Sequence, residues 1–227
     1  MPLVADPGLA APSLVAQLRV KRSELMVLEL EAIALGLFEA RGFSEVTVDE
    51  IADAAGISVR TFYRYFPTKE DVLQSRIDQR AAKLRAALSA RSPDEPAFQA
   101  LRLAYAETVS AEDAELRRRW TSVVAATPNV LKGVLGGILL KTQRVVAEFF
   151  AARFDVPDDS LGPMMLAAAA QGVVQAAQTH WFINGGDLAT TLSVGFEMLA
   201  RGIDSDPRAW SQTIGSAATP RGSRAAR

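Results

Sequence analysis

The sequence predicts an all-α protein of about nine helices, three in an N-terminal domain and the rest in a larger helical C-terminal domain. Three observations predict it. Apolar residues recur at spacings of three and four, and no segment carries a strand signal. Helix-starting Ser, Thr and Asp residues and helix-stopping Gly residues punctuate the chain repeatedly. The 227 residues are 49% hydrophobic, enough to bury a full core as one compact unit or as a small domain on a larger one.

The chain opens on an Ala- and Pro-rich stretch that reads as a flexible arm, residues 1–20 in the domain division. The basic residues Arg19, Lys21 and Arg22 lie upstream of the apolar and acidic run LMVLEL, so the first helix can begin as early as Ser13. A targeting signal is the rival reading, but no charged start leads into a continuous apolar stretch. Thr47 followed three residues later by Glu50 is a capping box, in which each side chain satisfies a backbone donor, so a helix begins at Val48. It runs to about Ala55. Gly56 tolerates the positive φ that ends it, and Ser58 caps another helix running from Val59 to about Phe66. Two short helices joined this tightly form a helix-turn-helix. Ile51, Ala55, Ile57, Phe62 and Phe66 supply a small core, and the small Ala52 and Ala55 let the helices cross closely.

The opposite face of the last of these helices carries the chemistry. Arg60 and Arg64 lie four apart and project together, Tyr63 sits beside them, and Val59 and Thr61 complete the front. The window 58–69 holds Arg60, Arg64 and Lys69 and no carboxylate, in a chain whose formal net charge is -1. Arginine donates two hydrogen bonds to the major-groove edge of guanine, Thr61 suits a thymine methyl or a base edge, and a tyrosine hydroxyl reaches phosphate. A solvated helix face is the bland alternative; the capped two-helix geometry and the interleaved aromatics favour DNA.

This stretch resembles the DNA-binding domain of the TetR family of transcriptional regulators. LGLFEARGF (35–43) matches the end of that domain's first helix, TVDEIADAAGIS (47–58) its second, and VRTFYRYFPTKEDVL (59–73) its third and the start of its fourth. The likeness spans residues 30–73. The order and spacing of F-x-x-x-G-[FY], T-V-x-x-I-A-x-x-A-G-[IV]-S, T-[LF]-Y-x-[HY]-F and K-E make it specific. The resemblance implies that Val59, Arg60, Thr61 and Arg64 contact bases, and that Thr47, Tyr63, Tyr65 and Lys69 hold phosphates. It sets the DNA-binding domain at residues 21–67. It further implies that the C-terminal domain, residues 68–203, dimerises through its last two helices and binds a small molecule.

The punctuation beyond the motif predicts six more helices. The fourth spans 68–90, with Thr68 and Asp71 as its capping pair, and the fifth starts at residues 92–95 and ends near Val109. Ser110 and Asp113 are the cap candidates for the sixth, and Thr127 with Pro128 opens a long seventh helix to Phe154. The eighth runs from Asp159 and Ser160 to Asn184, where Gly185 and Gly186 stop it; Asp187 caps the ninth, which ends near Gly202. From residue 204 the Ser, Gly, Pro and Arg content reads as a flexible tail. The longest apolar stretch, 161–177, is Ala-rich and interrupted by Gln171 and Gln175, which favours a buried helix over a membrane span.

Several side chains are candidates for the two tasks of the C-terminal domain. Phe98, Tyr105, Trp120, Val124, Phe149, Met165 and Gln171 combine large apolar groups with polar handles, as an effector pocket needs, though each is also an ordinary core residue. They suit an apolar or aromatic effector better than a highly charged one. Ala168, Val174, Gln175, Gln178 and Trp181 on the eighth helix are the dimer candidates, with the central helix of a monomeric bundle as the alternative. A two-fold dimer predicts a palindromic operator of double-stranded DNA with half-sites about 10 base pairs apart or a multiple of that. His180, the sole histidine, reads as a packed or interface residue. The absence of cysteine excludes disulfide scaffolds, Cys-ligated metals and a thiol nucleophile, and suits a cytoplasmic protein. No cofactor or metal is expected. An enzyme is the poor rival, since the scattered Asp155, Asp158 and Asp159 suit helix caps; an adaptor taking a protein partner is another alternative.

Overall fold

The structure, a computed structural model, describes residues 13–201, and among these it contains nine α-helices and no strand. The arm up to residue 12 and the tail from 204 lie outside the described residues. Two compact units divide the chain, Met1–Val72 and Leu73–Arg227.

In the first unit, α1 (Leu14–Arg41), α2 (Val48–Ala54) and α3 (Val59–Tyr65) follow one another. α1 starts at Leu14, so residues 14–20, assigned above to the arm, are helical; LVAQLRV contains no breaker after Pro12. Gly42 ends α1 at a φ of 90°, its N–H closing on the Phe38 carbonyl at 2.8 Å. The capping box forms: Glu50 N–H donates to Thr47 Oγ1 at 3.3 Å and Thr47 N–H donates to Glu50 Oε2 at 2.8 Å. Arg41 adds a 2.6 Å hydrogen bond to Glu50, joining the end of α1 to the start of α2. The Thr47 N–H first, and Arg41 second, hold the Glu50 carboxyl down at about 2.

Gly56 adopts a φ of 65°, the left-handed turn that lets the chain reverse between α2 and α3. Ser58 accepts from Thr61 N–H at 3.1 Å, which starts α3. Phe38, Phe43, Val46, Ile51, Ala52, Phe62 and Phe66 are buried together, with the rings of Phe62 and Phe66 centred 5.6 Å apart. Burying each phenyl ring stabilises this small unit by about 1.5–3 kcal/mol. That burial fixes the roll of α3 and turns its other face outward.

The second unit holds α4 (Asp71–Ser89), whose first two residues belong to the first unit, then α5 (Ala97–Ser110), α6 (Ala114–Ala125), α7 (Pro128–Phe154), α8 (Leu161–Asn184) and α9 (Leu188–Arg201). α8 packs against α7 and α9, and α5 packs against α9. Leu84, Leu101, Phe150, Ala167, Ala170, Val174, Trp181, Leu192 and Phe196 form the centre of the core. Asp113 caps α6 through Leu116 N–H at 2.8 Å, whereas Ser110 is the last residue of α5; Asp187 caps α9 through Thr190 N–H at 2.8 Å.

Two helices start later than the sequence pattern predicts. Thr68 and Asp71 make the expected reciprocal bonds, 2.8 Å and 3.3 Å, yet these shape a turn ahead of α4. Residues 92–95 form a turn ahead of α5, because Arg91 pairs with Glu95 at 2.7 Å and Arg153 donates to the carbonyls of Ser92, Pro93 and Glu95. No single helix among the described residues is long and apolar enough to cross a membrane.

Candidate nucleic-acid interface and effector cavity

Because Phe62 and Phe66 are turned inward, the outward face of α3 presents Arg60, Tyr63 and Arg64, all exposed, with Tyr63 at 49%. Arg60 makes no hydrogen bond, ion pair or ring contact among the described residues. Arg64 leans over the ring of Tyr65, 5.0 Å from its centroid, and its Nη2 lies 3.4 Å from the Tyr65 hydroxyl. A contact that long at the surface is weak and leaves the guanidinium available. Val59 and Thr61 are half-buried, and Thr61 Oγ1 shares a 2.9 Å hydrogen bond with Ser58 Oγ. The face therefore offers two guanidiniums and a phenol with no carboxylate in 58–69 to neutralise them.

Two residues expected at phosphates make hydrogen bonds within the unit. Lys69 Nζ donates to the carbonyls of Phe43 and Val46, each at 2.7 Å, and stands 4.3 Å from the Phe43 ring centroid. Two of its three donors brace the turn between α1 and α2 and one is left over. Thr47 is fully engaged, since its N–H and its hydroxyl both donate to Glu50 Oε2, at 2.8 and 3.0 Å.

In the second unit, the structure separates the expected pocket residues. Tyr105 and Gln171 line a small chamber of about 60 Å³ with Ile77, Leu84 and Val174. Trp120 and Val124 line a larger cleft of about 410 Å³ with Leu131, Val134, Leu135 and Phe182. Phe98 lies in neither: its ring packs on Phe196, 5.7 Å away, as part of the core. Phe149 belongs to a separate open hollow beneath Arg153, and Met165 is 61% exposed on the outer face of α8. Sequence periodicity identifies apolar positions but not which side of a helix faces an empty space.

The dimer candidates also divide. Val174 and Trp181 are 5% and 3% exposed, buried in the protein's own core, and Gln178 is half-buried and lines both cavities. Ala168 and Gln175 are exposed. The outer face of α8 instead carries Leu161, Met165, Ala168, Gly172 and Ala176, spaced by three and four, with Leu161 at 71% exposure, whereas Gln175, Thr179 and Ile183, the last 72% exposed, line the larger cleft.

The groups that sequence reading missed are charged. Arg76 and Arg80 of α4, and Arg117 of α6, converge on the carboxylate of Glu112 at 2.8–2.9 Å, with side-chain exposures between 6% and 21%. Burial alone would raise the Glu112 pKa, but Arg80, Arg117 and Arg76 outweigh it and hold the carboxyl at about 2. Arg80 also stands over Trp120, 4.7 Å from the ring centroid, and Arg117 and Arg118 lie over Trp181 at 5.7 and 4.8 Å. The spacing of Arg76 and Arg80 by one helical turn was the available signal. Two buried polar atoms in the chamber, Tyr105 Oη and Gln171 Oε1, have no hydrogen-bond partner among the described residues, and burial pushes the Tyr105 phenol above its ordinary range. Trp120 Nε1 donates to the Leu73 carbonyl at 3.2 Å. Among the described residues no His, Asp and Glu grouping could hold a metal.

Comparison with known proteins agrees with this layout. The family profile described as bacterial regulatory proteins, tetR family, matches residues 32–75, and the profile of the MftR C-terminal domain matches residues 95–204. MftR of Mycobacterium tuberculosis, named as a mycofactocin biosynthesis transcriptional regulator, is 30% identical over 176 residues, which cover 76% of this chain and 88% of that protein. The HTH-type transcriptional regulator TcmR of Streptomyces glaucescens is also 30% identical over 176 residues, with 72% of this chain and 76% of that protein covered. The fold is shared with the Thermus thermophilus TetR-family repressor FadR, solved with lauroyl-CoA, at a TM-score of 0.52 and 23% identity over 80% of this chain and 97% of that one. The relatives are regulators and not enzymes, and this chain, with its N-terminal helix-turn-helix and helical C-terminal domain, belongs to the TetR family of DNA-binding transcriptional regulators.

Proposed function

We propose that the protein is a cytoplasmic repressor that binds a palindromic operator as a homodimer and is released by a small molecule with a large apolar portion. The observation that carries this reading is the outward face of α3, where Arg60, Tyr63 and Arg64 are exposed and no acidic residue lies in 58–69. Arg60 and Arg64, with Val59 and Thr61, read base edges, and Tyr63 and Tyr65 hold phosphates. The exposed stripe of α8 from Leu161 to Ala176 supports dimerisation, because the small Ala168, Gly172 and Ala176 allow close helix approach and Leu161 and Met165 need cover. α9 contributes beside it. The cleft lined by Trp120, Val124 and Phe182 supports the effector role. An effector that binds better to a state with differently spaced recognition helices lowers operator affinity by population shift.

Selecting bound fragments from genomic DNA tests this directly, and a palindrome should emerge. On that site Arg60→Ala should cost about 1–3 kcal/mol, with little change on random DNA. Equal losses on both would reject Arg60 as a base reader.

A further inference from the structure

Arg80, Arg117 and Gln178 line both cavities of the second unit, the 60 Å³ chamber and the 410 Å³ cleft, and so stand where the two adjoin. Three guanidiniums share one carboxylate there, an excess of positive charge in a place where each side chain is largely removed from water. Arg80 bonds Glu112 through Nε and Nη2, while Arg117 bonds Glu112 through Nε and the Val109 carbonyl through Nη2. Neither Nη1 takes part in these bonds. Asp187 also feels Arg117, but its carboxylate is committed to capping α9 through Thr190. The unpartnered Tyr105 hydroxyl and Gln171 carbonyl, 5% and 7% exposed, line the chamber beyond. A cleft with apolar walls, closed at one end by under-neutralised guanidiniums with the Tyr105 hydroxyl as a further donor beyond them, is complementary to a molecule with one apolar and one anionic end, while the Gln171 carbonyl, an acceptor, takes no part in holding the anion.

We infer that the effector is an amphipathic anion, such as an apolar acid, whose body lies against Trp120, Val124 and Phe182 and whose charged group is held by Arg80 and Arg117 beside Glu112. The inference rests on the effector reading proposed above and narrows it from an apolar molecule to an apolar acid. Glu112 serves as the resident counter-ion that keeps the arginines folded inward when the cleft is empty, and the ligand's anion supplies the charge that this carboxylate alone does not.

Two fluorescent probes that differ by a single sulfonate test this on the full chain: 8-anilinonaphthalene-1-sulfonate and neutral N-phenyl-1-naphthylamine, each titrated at pH 7. The sulfonate should bind about tenfold tighter, as expected for one charge-assisted contact in a desolvated site. Arg80→Gln leaves Glu112 paired with Arg76 and Arg117, and should remove most of that preference while the neutral probe binds within about twofold of wild type. Arg80→Lys should restore part of it. Retained binding of the neutral probe reports that the cleft is intact in each variant. Equal affinity of both probes for the wild type, or equal losses of both in Arg80→Gln, would overturn the anion preference and leave the effector reading standing. Saturable binding by the neutral probe alone would likewise overturn the anion preference only, and failure of both probes to bind saturably would overturn both.

Discussion

Replacing Glu112 with Gln tests the buried charge cluster on which the C-terminal unit depends. The carboxyl, 12% exposed, is lowered from 4.5 to about 2 by Arg80, Arg117 and Arg76 against the opposing effect of burial. At about 1.4 kcal/mol per factor of ten, that corresponds to about 3 kcal/mol of stability at neutral pH. Breaking a buried pair by removing one partner gives a similar scale, about 3–5 kcal/mol, because the guanidiniums are left uncompensated. Since the folded-state pKa is depressed, the contribution is complete above about 4.5 and is lost as pH falls from there toward 2. Urea unfolding of wild type and Glu112→Gln at a series of pH values provides the measurement. The variant should be about 3 kcal/mol less stable at pH 7, and the difference should shrink below pH 4.5. A difference under about 0.5 kcal/mol at pH 7, or one that does not change with pH, would refute the view that this carboxylate neutralises the cluster.

Other substitutions separate scaffold from surface. Lys69→Ala removes two bonds to the Phe43 and Val46 carbonyls, so it should lower the stability of the N-terminal unit by about 1–3 kcal/mol and leave the salt dependence of DNA binding unchanged; a log-log slope flattened by about 0.9 would instead give Lys69 a phosphate. Gly172→Glu, in the exposed α8 stripe, should shift the protein to monomers in sedimentation while its helical circular dichroism is retained. An unchanged mass would remove that stripe from the dimer. Gly195→Ala should lower Tm by about 2–4 °C per kcal/mol of overpacking, since an added Cβ would meet Val173 Cγ1 at 2.8 Å. A Tm equal to wild type would show that α8 and α9 have room to shift.

The N-terminal unit was legible because its determinants are local. Thr47 and Glu50, Gly56, and Ser58 act within four residues of themselves, and each forms the bond or φ expected of it. The starts of α4 and α5 were misread where side chains far along the chain intervene, as Arg153 does at residues 92–95. The C-terminal unit was legible as helices but not as a site. Met165 and Val174 look alike as apolar members of α8, yet one faces outward and the other faces a cavity, and only the packing of α7 and α9 decides between them. The Glu112 cluster draws on α4, α6 and the turn between α5 and α6, a convergence that periodicity within any one helix does not encode.

Trp120 joins two roles in one side chain. Its indole forms part of the wall of the larger cleft, and its N–H holds the Leu73 carbonyl, the residue next to the division between the two units. A guest that rotates this ring must therefore either drag the opening turn of α4 along or surrender the bond. The same indole emits light, so in a chain with Trp181 and Trp210 replaced by Phe its fluorescence should report occupancy and the pull on α4 in one signal.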